Sequence, residues 1–151
     1  MRMITNVDAV TVFNARTDKE TRRKKYVPTV IYGASYAEAK GTTVSSGGVW
    51  SNDVQYKVRI PLISRVQDGR GYLPCQGYAV LEDGEALNHW TINKGDIIAL
   101  GEYDGGKESL FEDGLNAYAK ERGLDLVHVT EYADNTLGGS AYMKHWRIGG
   151  K

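Results

Sequence analysis

The stretch that decides the fold is His89–Glu102, HWTINKGDIIALGE. Trp90 and Ile92 alternate with His89 and Thr91, the period of a half-buried strand. Asn93–Lys94–Gly95 supplies turn residues, and glycine there takes positive φ at no steric cost. Ile97, Ile98, Ala99 and Leu100 then form a short apolar run before Gly101, suited to a strand covered on both faces. The segment reads as a tight β-hairpin with Asp96 on its turn side. A hairpin of this kind builds a core and specifies no reaction.

Outward from this hairpin the chain gives more strands. Ala9–Asn14 (AVTVFN) is β-branched and alternating, and Tyr26–Tyr32 (YVPTVIY) follows it. Pro28 cannot donate to a ladder, so this second strand starts there or lies on an edge. Val54–Pro61 has Val54, Tyr56, Val58 and Ile60 on one face and Gln55, Lys57 and Arg59 on the other. Tyr78–Leu81 reads as a short strand, and Asp125–Tyr132 and Met143–Ile148 as later ones separated by a turn at Ala133–Ser140. Gly33–Asp53 is rich in Gly, Ser, Thr and Ala and reads as a long hairpin whose tip is Ser45–Gly48. Leu62–Asn88 is a second long connection. One helix is expected over Glu108–Arg122, with Phe111, Leu115, Tyr118, Ala119 and Arg122 on one face and Gly123 ending it. The expectation is a mainly β (α+β) chain: a small antiparallel β-barrel or sandwich, one domain over 1–151, with 33–53 and 62–88 as extended loops.

Composition narrows the function classes. With 19 basic and 19 acidic residues the 151-residue chain has no net charge, so a wholesale basic face for nucleic acid is not the default. The one locally basic stretch is Asn14–Lys25, where Arg16, Lys19, Arg22, Arg23, Lys24 and Lys25 face only Asp18 and Glu20. The single cysteine, Cys75, rules out an internal disulfide and fits a reducing compartment. No apolar run approaches the ~18 residues of a membrane span, and MRMITNVDAV lacks a signal-peptide core. Ten tyrosines and three tryptophans against two phenylalanines suit interfaces as well as cores.

Motifs that carry chemistry are scarce. The sequence holds no phosphate-cradling glycine loop and no G-x-S-x-G elbow. His89, His128 and His145 each fall on an expected strand, far apart in sequence. Asp104 and Glu108 lack the alternation of a calcium loop, and Glu82, Asp83 and Glu85 read as a solvated turn. Cys75 has no cation nearby in sequence to activate it. No catalytic residue, metal ligand or cofactor is expected.

Taken in order, ITNVDAVTVFN, DKETRRKKYVPTVI, VRIP, YLP, HWTINKGDIIALGE and GSAYMKHWRIGGK are spread along the chain from Ile4 to Lys151. This series resembles minor structural proteins of tailed phages and prophages encoded among the head–tail connector genes. It is most similar to the head-closure, or stopper, branch of the head–tail joining family. The resemblance implies a non-enzymatic β-barrel subunit of a ring, a hexamer favoured, in the virion neck after synthesis in the bacterial host cytoplasm. The ring sits beneath portal and adaptor, helps retain packaged DNA, and docks the tail terminator or tail tube, with no membrane partner. On that reading Tyr36, Trp50, Tyr72 and Tyr78 are subunit-interface candidates. Lys40, Arg65, Arg70, Arg22 and Arg23 are candidates to face the channel and its DNA. Alternatives are a tail terminator or tail-completion ring, a monomeric β-barrel binding nucleic acid or a ligand, and a metal enzyme built on the three histidines.

Overall fold

The computed structural model describes residues 8–44, 50–106, 108–136 and 144–151, with backbone only at 8, 39–44 and 50–54. The elements are β1 (Asp8–Thr17), β2 (Lys24–Val44), β3 (Trp50–Pro61), β4 (Arg65–Val66), β5 (Gly71–Tyr72), α1 (Cys75–Ala79) and α2 (Asp83–Ala86). They continue with β6 (His89–Trp90), β7 (Ile97–Ala99), β8 (Leu110–Phe111), α3 (Glu112–Arg122), β9 (Leu126–Asn135) and β10 (His145–Gly150). The fold is mainly β, as the sequence leads one to expect.

The main pairing path runs β1–β7–β9–β10–β3–β2 and returns to β1 through the β1–β2 ladder. The result is sandwich-like and not a regular barrel, because two strands turn corners and change partners. β2 pairs β1 as far as Ala34 and β3 from Ser35 onward. β9 pairs β7 through His128 and β10 from Val129 onward. Each corner carries a register shift: Asp8/Ala9 face Ala34/Tyr32, and Gly149/Gly150 face Glu131/Val129. Gly33, skipped at the first corner, has φ 88°, which glycine adopts without strain.

Side chains alternate across the β1–β2–β7 layer into two apolar clusters. Val12, Ile31 and Ile98 point into the sandwich with Val58, Ile60, Trp90, Val127, Trp146 and Ile148. Phe13, Val30 and Ile97 point outward, where Tyr26, Tyr103 and Leu115 of α3 cover them. Both faces are therefore buried, which explains the unbroken Ile-Ile-Ala run of β7. Thr11 fixes the loop after β7: its hydroxyl donates to Gly101 O at 2.8 Å and accepts from Tyr103 N at 3.0 Å.

Several local expectations are corrected. Trp90 and Ile97 do not belong to one hairpin: β6 pairs in parallel with β5, whereas β7 lies between β1 and β9. Gly33–Asp53 forms the long hairpin read from the sequence, but its arms are ladder and not extended loop, since Ser35↔Arg59 through Val44↔Trp50 are paired. Its small residues suggest a loop, but cross-strand partners override that preference. The Ser45–Gly48 tip lies outside the described residues. Tyr78 is helical: α1 follows Pro74, whose carbonyl accepts from Tyr78 N at 3.0 Å. α3 starts at Glu112 because Leu110–Phe111 first pair with Lys25–Tyr26. It buries Leu115 and Ala119 and ends on Gly123 at φ 68°. Ala133–Asn135 continue β9 instead of turning.

The outer edge of β2 is completed in an unusual way. β8 and β4 cover it at Lys25–Tyr26 and Ile31–Tyr32, leaving a gap at Val27–Val30. Side chains of Leu62–Asn88 fill that gap: Gln67 Oε1 accepts from Val30 N at 3.1 Å, and Arg70 Nη1 donates to Pro28 O at 2.6 Å. Pro28 has no N–H of its own to leave unsatisfied.

The β9–β10 corner is tight. A Cβ added at Gly150 would run into the His128 carbonyl, whereas one at Gly149 meets only the Glu131 side chain. Gly150→Ala therefore lowers stability by about 1–3 kcal/mol in urea unfolding, and Gly149→Ala by less than about 1 kcal/mol, because a surface carboxylate moves aside and a ladder carbonyl does not.

Candidate functional site

At the end of β1, Asn14, Thr91 and Asp96 form a buried polar knot, none more than 3% exposed. Asn14 Nδ2 donates to Thr91 O at 2.6 Å and to Asp96 Oδ2 at 2.9 Å, and Asn14 Oδ1 accepts from Thr91 N at 3.2 Å. Asp96 Oδ1 accepts from Ala15 N at 2.9 Å, and its Oδ2 from Asn93 N at 3.0 Å. The Asn93–Asp96 turn is closed by Asp96 N on Asn93 O at 3.1 Å. Burial pushes the Asp96 carboxyl up to about 6, against the pull of its N–H donors toward the charged form. Three donors occupy its oxygens, so it serves as a keystone and not as a free base.

Beside the knot lies a cleft of about 510 Å³ between the end of β1, Lys24, α1 and the Asn93–Asp96 turn. Arg16 closes one wall. It donates to Tyr78 O at 3.0 Å and to Leu81 O, carbonyls at the end of α1, and pairs with Asp83 at 3.2 Å. Its guanidinium also stacks on the Tyr78 ring, 5.1 Å from the centroid. Asp83 takes Lys25 Nζ as well, at 3.0 Å, and the Lys25 hydrogen bond and charge, helped by Arg16, hold its carboxyl below the ordinary range. Lys19 pairs with Glu82 at 3.1 Å. Three of the six cations of the basic stretch, Arg16, Lys19 and Lys25, are thus paired with the acids of α2 and the residue before it. Sequence shows the two charge clusters but not that they meet.

The residues singled out by resemblance scatter. Tyr78, 3% exposed, is internal and no free interface anchor, whereas Tyr72 is half-buried against Trp90 and Trp146; burial pushes both phenols to about 12. Tyr36 is half-buried against the sandwich core. The side chains of Trp50 and Lys40 lie outside the described residues. Arg70 does not face a channel: it is 4% exposed and holds Pro28 O and Thr29 Oγ1. Arg65 is exposed and stacks on Tyr32, 4.4 Å from its centroid. Arg22 is exposed at φ 59° in the β1–β2 turn and makes no ion pair among the described residues. Arg23 stacks on Phe111 at 4.4 Å and pairs with Asp113 at 3.5 Å. Among the described residues no group of three metal-ligating side chains converges, so the three histidines do not meet. No helix there is long and apolar enough to cross a membrane.

One feature projects from this framework. β10 pairs β3 only from Tyr56 to Pro61, so Trp50–Gln55 is paired to Ala39–Val44 alone among the described residues. This makes a two-stranded arm about 20 Å long at ~3.3 Å per residue.

The chain belongs to DUF6751. The match spans residues 4–151, and DUF6751 is described as a family of unknown function. No curated protein and no solved structure matches the chain. Membership of DUF6751 thus names the lineage of the fold and leaves its role to the geometry.

The Asp96 knot makes stability depend on pH. Its folded value of about 6 lies above the ordinary 3.8, so the folded chain keeps a proton that the unfolded chain has released. This contribution is complete below about pH 4 and is lost as pH rises through about 6, amounting to roughly 2–3 kcal/mol at ~1.4 kcal/mol per unit. Urea unfolding between pH 4 and 7 should show the stability of the wild type falling relative to Asp96→Asn, which cannot titrate. Asp96→Asn itself should be less stable by about 1–3 kcal/mol at pH 5, because its amide brings two donor hydrogens where the protonated carboxyl brings one, and leaves one acceptor oxygen for three N–H groups.

Proposed function

We propose that this DUF6751 chain is a structural subunit of a tailed-phage head–tail connector, the head-closure ring that retains packaged DNA and receives the tail. The observation that carries this reading is the arm of β2 and β3. A two-stranded ribbon is marginal by itself in water, and its free main-chain edges invite another strand. A second copy supplies that strand by β-addition, and such a head-to-tail contact closes into a ring when the rotation allows. Each ring then repeats the exposed Arg22 and Lys24 around its circumference, so a subunit of zero net charge still presents a band of cations to DNA. The resemblance in segment order supports the same assignment.

Native mass measurement tests the assembly. The purified chain, alone or co-expressed with the portal and adaptor of the same genome, should give closed oligomers, six copies being favoured by the resemblance. A variant with residues 40–54 replaced by a two-residue turn should keep its melting temperature within a few degrees and remain monomeric. Deleting the gene should yield DNA-filled heads that lack tails and leak their DNA. Normal tailed particles from the deletion, or a monomer under all these conditions, would overturn the proposal.

A further inference from the structure

A second pocket, of about 490 Å³, opens between the β3–β4 connection and β5, and it contains an unusual donor set. Its walls include Ser64, Arg70, Tyr72, Trp90 and Trp146. The Arg70 side chain is 1% exposed. One terminal nitrogen, Nη1, is used on Pro28 O at 2.6 Å and Thr29 Oγ1 at 2.7 Å. The other two nitrogens, Nε and Nη2, are buried without a hydrogen bond among the described residues. These two share one edge of the guanidinium, the edge that matches the two oxygens of a carboxylate. Asp68 forms an ion pair with Arg70, but its Oδ2 lies 3.9 Å from Nη2, too far for a hydrogen bond, and its side chain is 47% exposed, so the edge keeps its two donors for a closer oxygen pair.

The surroundings agree with that edge. Ser64 Oγ is also buried without a partner, and Trp146 Nε1 makes no hydrogen bond of good geometry although it interacts with the Tyr72 hydroxyl. Arginine and indole N–H groups only donate. Three aromatic rings pack beside them: Tyr72–Trp90 at 5.1 Å, Tyr72–Trp146 at 4.7 Å and Trp90–Trp146 at 4.9 Å between centroids. A buried guanidinium with its bidentate edge unused is costly unless an anion meets it. Aromatic walls favour an anion carried on a flat or apolar body.

We infer that this pocket is a binding site for a small carboxylate on an apolar or aromatic body, held side-on by Arg70 Nε and Nη2. The inference does not depend on the connector reading, since it concerns the interior of one subunit.

The test is a titration of the 15N-labelled full chain with sodium benzoate, sodium phosphate and sodium chloride at constant ionic strength, following the Arg70 Nε–H and Trp146 Nε1–H signals. Benzoate should shift both saturably, with half-saturation at about 1 mM, and phosphate and chloride should not. Ser64→Ala removes a hydroxyl with no protein partner, so it should keep the melting temperature and weaken benzoate severalfold. Arg70→Lys, if folded, should lose the saturable response; if it does not fold, the wild-type and Ser64→Ala titrations decide. Absence of any saturable shift, an equal response to phosphate, or a Ser64→Ala variant that binds benzoate unchanged would overturn the inference.

Discussion

Asn14 and Asp96 tie together segments far apart in sequence, and the sandwich depends on that tie. β1 reaches the turn before β7 through hydrogen bonds from Asn14 and to Asp96, almost entirely out of water. In that setting a satisfied polar network is strong and directional, whereas the apolar clusters on either side are indifferent to register. A one-residue slip of β1 would exchange Val12 and Phe13 between the two clusters and also leave Asp96 without its donors. The knot therefore fixes which residues of β1 face inward. The cleft beside it inherits its shape, since Arg16 and Ala15 follow directly from Asn14.

The second organising device is the pair of corners. A sheet of short strands would have needed separate elements for each layer. β2 and β9 instead serve both layers and change partners at Gly33–Ala34 and near Thr130. The bend at Gly33 lets β2 leave β1 and run out with β3 as the arm. The element that supports the assembly reading is thus a direct continuation of a core strand, anchored at its base by Val58 and Ile60.

Much of this was legible in the chain. The alternation of Val54–Pro61, the buried run Ile97–Leu100 and the helix stop at Gly123 all follow from local periodicity and turn chemistry. What was not legible depends on distant partners. The Asn93–Asp96 turn looks like the tip of a hairpin, yet its flanking strands pair elsewhere, because β7 is drawn into the centre of the layer by Ile97 and Ile98. Arg70 sits in a DGRG sequence that resembles an exposed loop, and only the gap beside Pro28 explains its burial. Asp96 gives one local signal, an Asn three residues before it across Lys-Gly, but the second Asn that completes its cage is Asn14. Tyr72 and Tyr78 lie in a connection that lacks periodicity, so their packing against Trp146 and Arg16 is not visible in the sequence.

The plug on the flank of β2 has a consequence for aggregation. Long strands with a bare side are the usual seeds of fibre growth, in which like segments stack without limit. Here that side is interrupted twice, by a proline that offers no hydrogen and by two side chains that occupy its carbonyl and the N–H of Val30. Uncontrolled stacking is hindered at the body of the molecule, and under the proposed assembly the ribbon formed by the far ends of β2 and β3 is the edge left for a second copy.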